Sequence, residues 1–380
     1  VSYLARFGAE VIKLDPSKPM YDAWNTVIFG MSHMRGKKSV LTDITSEHGR
    51  KVFEDLVKSV DVIVWNAPDN QIKAMGLDTD NLARLNPDAI FCKLDCFSGV
   101  RRGPRTDYVG YDDLVQATTG IMLRFGGLMS EPEEHAHVGT IDVMCGFGGA
   151  LGVATALYQK LKTGKTGRGR TSLSANSGLL QVPFCYDYTG RGLFDEPSGR
   201  YVNGYDALSR FYYTASGEYL LLSTYEKDIG RLEAIEAFAG LSALPHEERE
   251  GFLAGVFAND TSAAWLEVLR ANDIGAAVCD NIDALRAAYV RTPDGTPGID
   301  RGSYSFSVYE DHPSGHTVTQ LDPFAVRPMR GAVNMMDPAE KYGASTRSVL
   351  IELGYSETDI DVMLQNGSIS ETWSKEYLPS

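Results

Sequence analysis

The chain has 380 residues, 43% hydrophobic and 23% charged, with no low-complexity run, which suits a large core and two domains. Its formal net charge of −14 argues against broad nucleic-acid binding, while leaving room for a local cationic pocket. Five cysteines without a CxxC pair point to reduced, mostly buried thiols in a cytoplasmic setting, not to disulfides or a metal site; neither a leader nor an apolar run of bilayer length is expected.

VSYLARFGAEVIKLD reads as the last turns of a helix, a stop at Gly8 and a strand over 10–14. A unit entered in mid-helix lacks its first strand, so an upstream segment is expected. Strands follow at 39–44, 61–66 and 89–97. Helices are expected at 47–60, behind the cap-like Thr45-Ser46, and at 78–86 and 111–122. The segment from Asp142 is helical, and 169–184 gives a strand and then a helix. This alternation predicts an α/β fold, a doubly wound Rossmann-like parallel sheet covered on both faces. After about residue 190 the texture changes. A Gly-, Pro- and Tyr-rich stretch leads to a hairpin at 210–224 that turns on Ala215-Ser216-Gly217. Helices at 229–240 and 261–272, then a strand and helix within 274–288, complete a smaller α/β domain. A strand-like run at 315–327 and a last helix near 345–354 close the chain. The expected division is a large domain over 1–190, a linker at 191–204, a small domain over 205–310, and a segment over 311–380 that returns to the large domain.

Asp142 is followed by no charge until Lys160, and Gly146, Gly148, Gly149 and Gly152 fill the interval. An acid in a first helical turn meets the positive end of the dipole, so its ionised form is favoured. Interior helix glycines each cost about 1 kcal/mol, which calls for a close approach by a neighbouring element or by a ligand.

The run IDVMCGFGGALGVATALYQKLKTGKTGRGRTSLSANSGLL resembles the central signature of the family III CoA-transferases, in which an Asp opens a small-residue helix that leads to a basic turn and a strand. FGAEVIKLD, HMRGKKSVLTDI, DVIVWNAPDNQIKAMGLD, LARLNPDAIFCKLDCFS, VGYDDLVQATTGIM and STRSVLIELGYSETDIDVMLQNGSI are similar to further family segments in the same order. The resemblance implies a Rossmann-like domain with a smaller domain in an interlocked-ring dimer or a tandem pseudo-dimer. It also implies transfer of CoA from an acyl-CoA to a carboxylic acid through an aspartyl thioester at Asp142. Backbone N–H groups near Gly146 or Gly148 are expected oxyanion donors. For CoA, the resemblance and the positions of strand ends implicate Arg35, Lys37, Lys38, Thr42, Asp43, Asn66, Ala67, Pro68, Lys73, Arg101, Tyr108 and Tyr111.

Departures are visible. The family's opening strand and its turn are missing, Pro16 stands where relatives are often basic, and Asn66-Ala67 replaces an Asn-Phe pair. The internal start, the tail beyond the usual end and the clustered tyrosines suggest the second of two tandem modules acting on dimethylsulfoniopropionate, with release of dimethyl sulfide. Tyr188, Tyr201 and Tyr205 are the expected contacts of the sulfonium cation. Alternatives are another acid (carnitine, formate or oxalate, a dicarboxylate), a racemase-like isomerase needing a His partner such as His135 or His137, and a non-catalytic half of a pseudo-dimer.

Overall fold

The structure is a computed structural model that describes residues 1–20, 30–99, 101–126, 139–191, 202–289, 306–321, 326, 330 and 336–373. The chain divides into two compact units: Val1–Thr119, Ala136–Cys185 and Tyr289–Ser380 in the first, Gly120–His135 and Tyr186–Ala288 in the second.

In the first unit, α1 (Ser2–Arg6) stops at Gly8, whose φ of +97° suits glycine, and β1 (Ile12–Asp15) follows. β2 (Lys38–Thr42) lies parallel to β1. α2 (Glu47–Ser59) starts on Ser46, whose hydroxyl accepts the Gly49 N–H at 3.1 Å. A side chain at Gly49 would collide with the Asp43 carbonyl. β3 (Val62–Trp65), α3 (Asp69–Ala74), α4 (Thr79–Leu85) and β4 (Ile90–Asp95) come next. After α5 (Asp112–Thr119) and α6 (Thr140–Thr163), β5 (Arg168–Ser172) joins β4 and α7 (Leu173–Gln181) begins. β3, β4 and β5 form a parallel sheet, with Val62 opposite Ile90 and Cys92 opposite Gly169. The alternation thus yields parallel pairing in two three-stranded groups among the described residues: β3, β4 and β5 are parallel throughout, while β1 and β2 are parallel and take a third, antiparallel strand from late in the chain.

The second unit is an antiparallel sheet backed by helices. β6 (Gly204–Asp206), β7 (Ser209–Tyr213) and β8 (Tyr219–Ser223) precede α8 (Ile229–Glu233), α9 (His246–Phe257), α10 (Ser262–Ala271), β9 (Gly275–Val278) and α11 (Ile282–Tyr289). The expected hairpin turns where Gly217 takes a φ of +79°. Its core stacks Tyr212 on Phe257, ring centroids 4.8 Å apart, and the Trp265 indole N–H donates to the Phe257 carbonyl at 3.0 Å. The helix expected over 229–240 is instead α8 followed by a 3-10 turn at Glu236–Phe238. α9 went unread because Phe252, Leu253, Val256 and Phe257 crowd its last two turns after the polar run HEERE, which blurs the helical period.

The chain then returns to the first unit. β10 (Phe306–Tyr309) and β11 (Val318–Leu321) make an antiparallel hairpin. The helix expected near 345–354 is α12 (Thr346–Glu352), but it is not the last. α13 (Glu357–Gln365) follows behind a capping box of Ser356 and Asp359, and β12 (Ile369–Ser370) runs antiparallel to β2. Val349, Leu350, Ile360 and Met363 cover Val40, Val52 and Leu56, so this late segment completes the core begun by β2 and α2.

Candidate active site

The head of α6 is built without a side-chain cap. Its N-cap is Gly139, in the left-handed region at φ +73°. A Cβ there would lie 3.1 Å from the Asp142 Cβ and 3.4 Å from Asp142 Oδ2. The missing cap comes from another helix. The backbone N–H of Asp142 donates to Asp112 Oδ2 at 2.7 Å, and the Gln116 side-chain amide donates to Asp112 Oδ1. Asp112 is buried, while Asp142 stays exposed on its outer side.

The dipole does not decide the charge of Asp142. Partial burial of its carboxylate, then the Asp112 and Asp113 carboxylates, raise its pKa from 3.8 to about 6. The expectation of a favoured anion is thereby narrowed: burial and the neighbouring acids oppose the helix terminus. At neutral pH the carboxylate form still predominates. The neighbouring thiols do not compete as nucleophiles, since burial, then the Asp142 charge, pushes Cys145 up to about 12, and burial also raises Cys96.

The glycines of α6 divide into two kinds. A Cβ at Gly149 would lie 2.6 Å from Leu94 Cδ2, and one at Gly148 3.2 Å from Thr171 Oγ1, so these two let the helix lie close on β4 and β5. Gly146 and Gly152 face open space, with nothing within 4 Å of a Cβ. Gly146 is one turn beyond Asp142 and on its face of the helix, leaving room beside the carboxylate. The oxyanion assignment to Gly146 or Gly148 is corrected: both lie inside the helix, where backbone N–H groups bond to carbonyls four residues back. α6 also corrects the expectation on apolar runs. It has 24 residues and a window of mean hydropathy 1.5, long and apolar enough to cross a bilayer by length and composition alone. One face, with Ile141, Cys145, Gly149 and Val153, is buried; Leu151, Leu157, Tyr158 and Leu161 are exposed.

The residues expected to hold CoA fare unequally. Arg35 is buried, and its guanidinium donates to the Leu321 carbonyl at 3.1 Å and to the Tyr309 hydroxyl. These contacts support an anchor for the β10–β11 hairpin and not a phosphate ligand. The Thr42 hydroxyl is likewise turned inward, to the Ser368 carbonyl at 3.2 Å. Asp43 caps its own turn, accepting from the Thr45 N–H and hydroxyl at 3.0 and 2.6 Å. Lys38 is paired with Glu10 and Glu352. Lys37 has its pKa lowered to about 8 by burial and then by Lys13. Asn66, Ala67 and Pro68 follow β3; Lys73 lies on α3, exposed, at a cleft of about 310 Å³ lined also by Trp65, Lys93 and Arg170. Arg101, Tyr108 and Tyr111 are exposed, and Tyr111 directly precedes Asp112. Tyr188 and Tyr205 are exposed in the second unit; Tyr201, His135 and His137 lie outside the described residues.

Sequence reasoning missed two features. Asp112 and Gln116 sit four residues apart in YDDLVQA, a spacing that places both on one helix face. The second is a charge network that joins β4, β5 and the start of α3. Asp95 accepts the Ser98 N–H at 2.7 Å and Arg170 Nε at 3.0 Å, Arg170 also reaches Asp69 at 3.0 Å, and Asp69 pairs with Lys93. Among the described residues no His, Cys, Asp and Glu group suits a metal ion, and the five cysteines are free.

Parallel strands, a small-residue helix opened by a carboxylate and a second, antiparallel unit define one class of enzyme: the chain belongs to CoA-transferase family III, whose family model matches residues 1–295. Among curated proteins it is 48% identical over 380 residues to the CoA-transferase/lyase DddD of Marinomonas sp. (strain MWYL1), a match that takes in 100% of this chain and 45% of that protein. It is 27% identical over 198 residues to the acetyl-CoA:oxalate CoA-transferase of Acetobacter aceti, with 50% of each covered. The chain thus spans about half the length of these relatives. A CAIB/BAIF family protein from Brucella suis shares the fold, with a TM-score of 0.72, 21% identity and 92% and 93% of the two chains covered.

Proposed function

We propose that Asp142 is the nucleophile of a CoA transfer that loads dimethylsulfoniopropionate. The observation that carries this is the α6 head: an accessible carboxylate beside the side-chain-free surface of Gly146. A carboxylate oxygen of Asp142 attacks the thioester carbonyl of an acyl-CoA such as acetyl-CoA, and the CoA thiolate leaves, giving a mixed anhydride. The thiolate returns to the aspartyl carbonyl and expels the donor acid as its carboxylate. The acceptor carboxylate then attacks the aspartyl-CoA thioester, and a second return of the thiolate yields the new acyl-CoA and free Asp142.

The 48% identity to a protein named CoA-transferase/lyase supports a lyase step after transfer. Thioester formation acidifies the α-C–H; a base takes that proton, the C–S bond at the β-carbon breaks, and dimethyl sulfide leaves an unsaturated acyl-CoA. Exposed Tyr188 and Tyr205 are the proposed contacts of the sulfonium cation, each worth roughly 0.5–2 kcal/mol. The 45% share of that relative supports a tandem arrangement, in which residues 1–190 are the CoA-binding domain, 205–310 the small domain, and a second module takes the place of the partner in an interlocked dimer. A cytoplasmic setting agrees with the five free thiols. The test is headspace analysis of the full-length polypeptide with acetyl-CoA and dimethylsulfoniopropionate. Dimethyl sulfide released only when both are present supports the reading; CoA transfer to oxalate or carnitine without the gas replaces it with a transferase for another acid.

A further inference from the structure

On the reading of Asp142 as the nucleophile, we propose that Asp112 is its positioning residue: the Asp112 carboxylate clamps the first turn of α6 through the Asp142 N–H and sets a second negative charge beside the reacting carboxylate. Gly139 cannot cap α6, having no side chain, and its left-handed backbone is needed to turn the chain into the helix. A helix start left with unpaired N–H groups frays, and the nucleophile sits in that turn. Asp112 fills the gap from α5. One oxygen takes the Asp142 N–H at 2.7 Å, and the other is fixed by Gln116 one turn along its own helix. Asp112 is only 7% exposed, so its orientation is held by packing as well.

The same contact brings a second negative charge to Asp142. Among the described residues, the titratable groups that act on Asp142 or on the thiols beside it include Asp112 and Asp113 on α5, Cys92 on β4, Asp95 and Cys96 at its end, and Cys145 on α6. Asp113 differs from Asp112 in that it bonds locally, accepting from the Leu114 N–H at 2.8 Å. Position and charge therefore separate by substitution. Asp112→Asn and Asp112→Ser keep an acceptor and lose the charge; Asp112→Ala loses both; Asp113→Asn changes charge alone.

The experiment measures kcat, KM and the pH profile of CoA transfer in the full-length polypeptide, with the thermal melt of each variant. Asp112→Asn or Asp112→Ser moves the acidic limb of kcat/KM to lower pH by about half a unit or more, with KM for acyl-CoA held within about twofold. Asp113→Asn moves it less, and Asp112→Ala also lowers kcat roughly tenfold through loss of the cap. A limb that stays in place in a folded Asp112→Asn or Asp112→Ser variant overturns the proposal. Amide exchange in the unaltered protein needs no variant: a protected Asp142 N–H is expected, and exchange at the free-peptide rate overturns the clamp. Hydroxylamine trapping in the unaltered protein separates the two failures, since absence of an adduct at Asp142 removes the nucleophile reading and leaves the amide result standing.

Discussion

The first turns of α6 and its middle are written in the same residues and do opposite things. Gly148 and Gly149 are pressed against Thr171 and Leu94, so there glycine serves packing. Gly146 meets nothing, and the turn before it relies on a carboxylate borrowed from α5 instead of a cap of its own. One stretch of sequence thus supplies a rigid seat on the sheet and an open, charged end. The seat holds the carboxylate in place; the open end lets a bulky thioester reach it.

Substitutions can break this contrast. The largest expected effect is on chemistry: Asp142→Asn lowers CoA transfer by roughly 10³-fold or more while the thermal melt stays at or above that of the parent, read by steady-state kinetics. A loss below tenfold would move the nucleophile elsewhere. Next is Gly149→Val, which forces a branched side chain toward Leu94 and destabilises by roughly 1–3 kcal/mol, read by urea unfolding. Gly146→Ala gives the reverse sign: stability rises by roughly 0.5–1 kcal/mol, because the added methyl meets open space and the helix loses a glycine. At the same position, a leucine lowers kcat/KM for acyl-CoA while the fold holds. If Gly146→Ala and Gly149→Val destabilise alike, the two-part reading of the helix fails.

The smallest effect is on stability against pH, and its sign follows from the raised pKa of Asp142. Between 3.8 and about 6 the folded state keeps a proton that the unfolded state has released. Stability contributed by this group therefore falls as pH rises through that window. Asp142→Asn removes the penalty: the variant is more stable than the parent at pH 7, and the gap closes near about pH 4. Melts at both pH values check it, and a gap that widens on acidification would contradict the burial account.

Much of this was legible in the sequence because it is local. The period of EHGRKVFEDLVKS gave α2, and the apolar run IFCKLD gave β4. Asp142 at the start of a small-residue helix was visible as a pattern. What escaped depends on distant partners. Nothing in HMRGKKS says that the guanidinium of Arg35 is spent on Tyr309 and Leu321, more than 270 residues away, so a cation set before a strand passed for a phosphate ligand. Arg35→Met tests this: stability falls by roughly 1–3 kcal/mol as buried acceptors lose their donor, with less effect on KM for acyl-CoA than on the melt. The raised pKa of Asp142 escaped for the same reason, since the dipole can be read along the chain while the burial of the carboxylate, and then Asp112 thirty residues earlier, cannot. β12, only two residues long, is a strand solely because β2 is beside it.

The most direct test of the central claim is peptide mass spectrometry of the full-length polypeptide incubated with acetyl-CoA and quenched with hydroxylamine. The account predicts a hydroxamate on the peptide that carries Asp142, absent without acyl-CoA and absent in Asp142→Asn. An adduct on another residue, or none at all under turnover, would contradict it and leave Asp142 as a carboxylate that serves only the start of its helix.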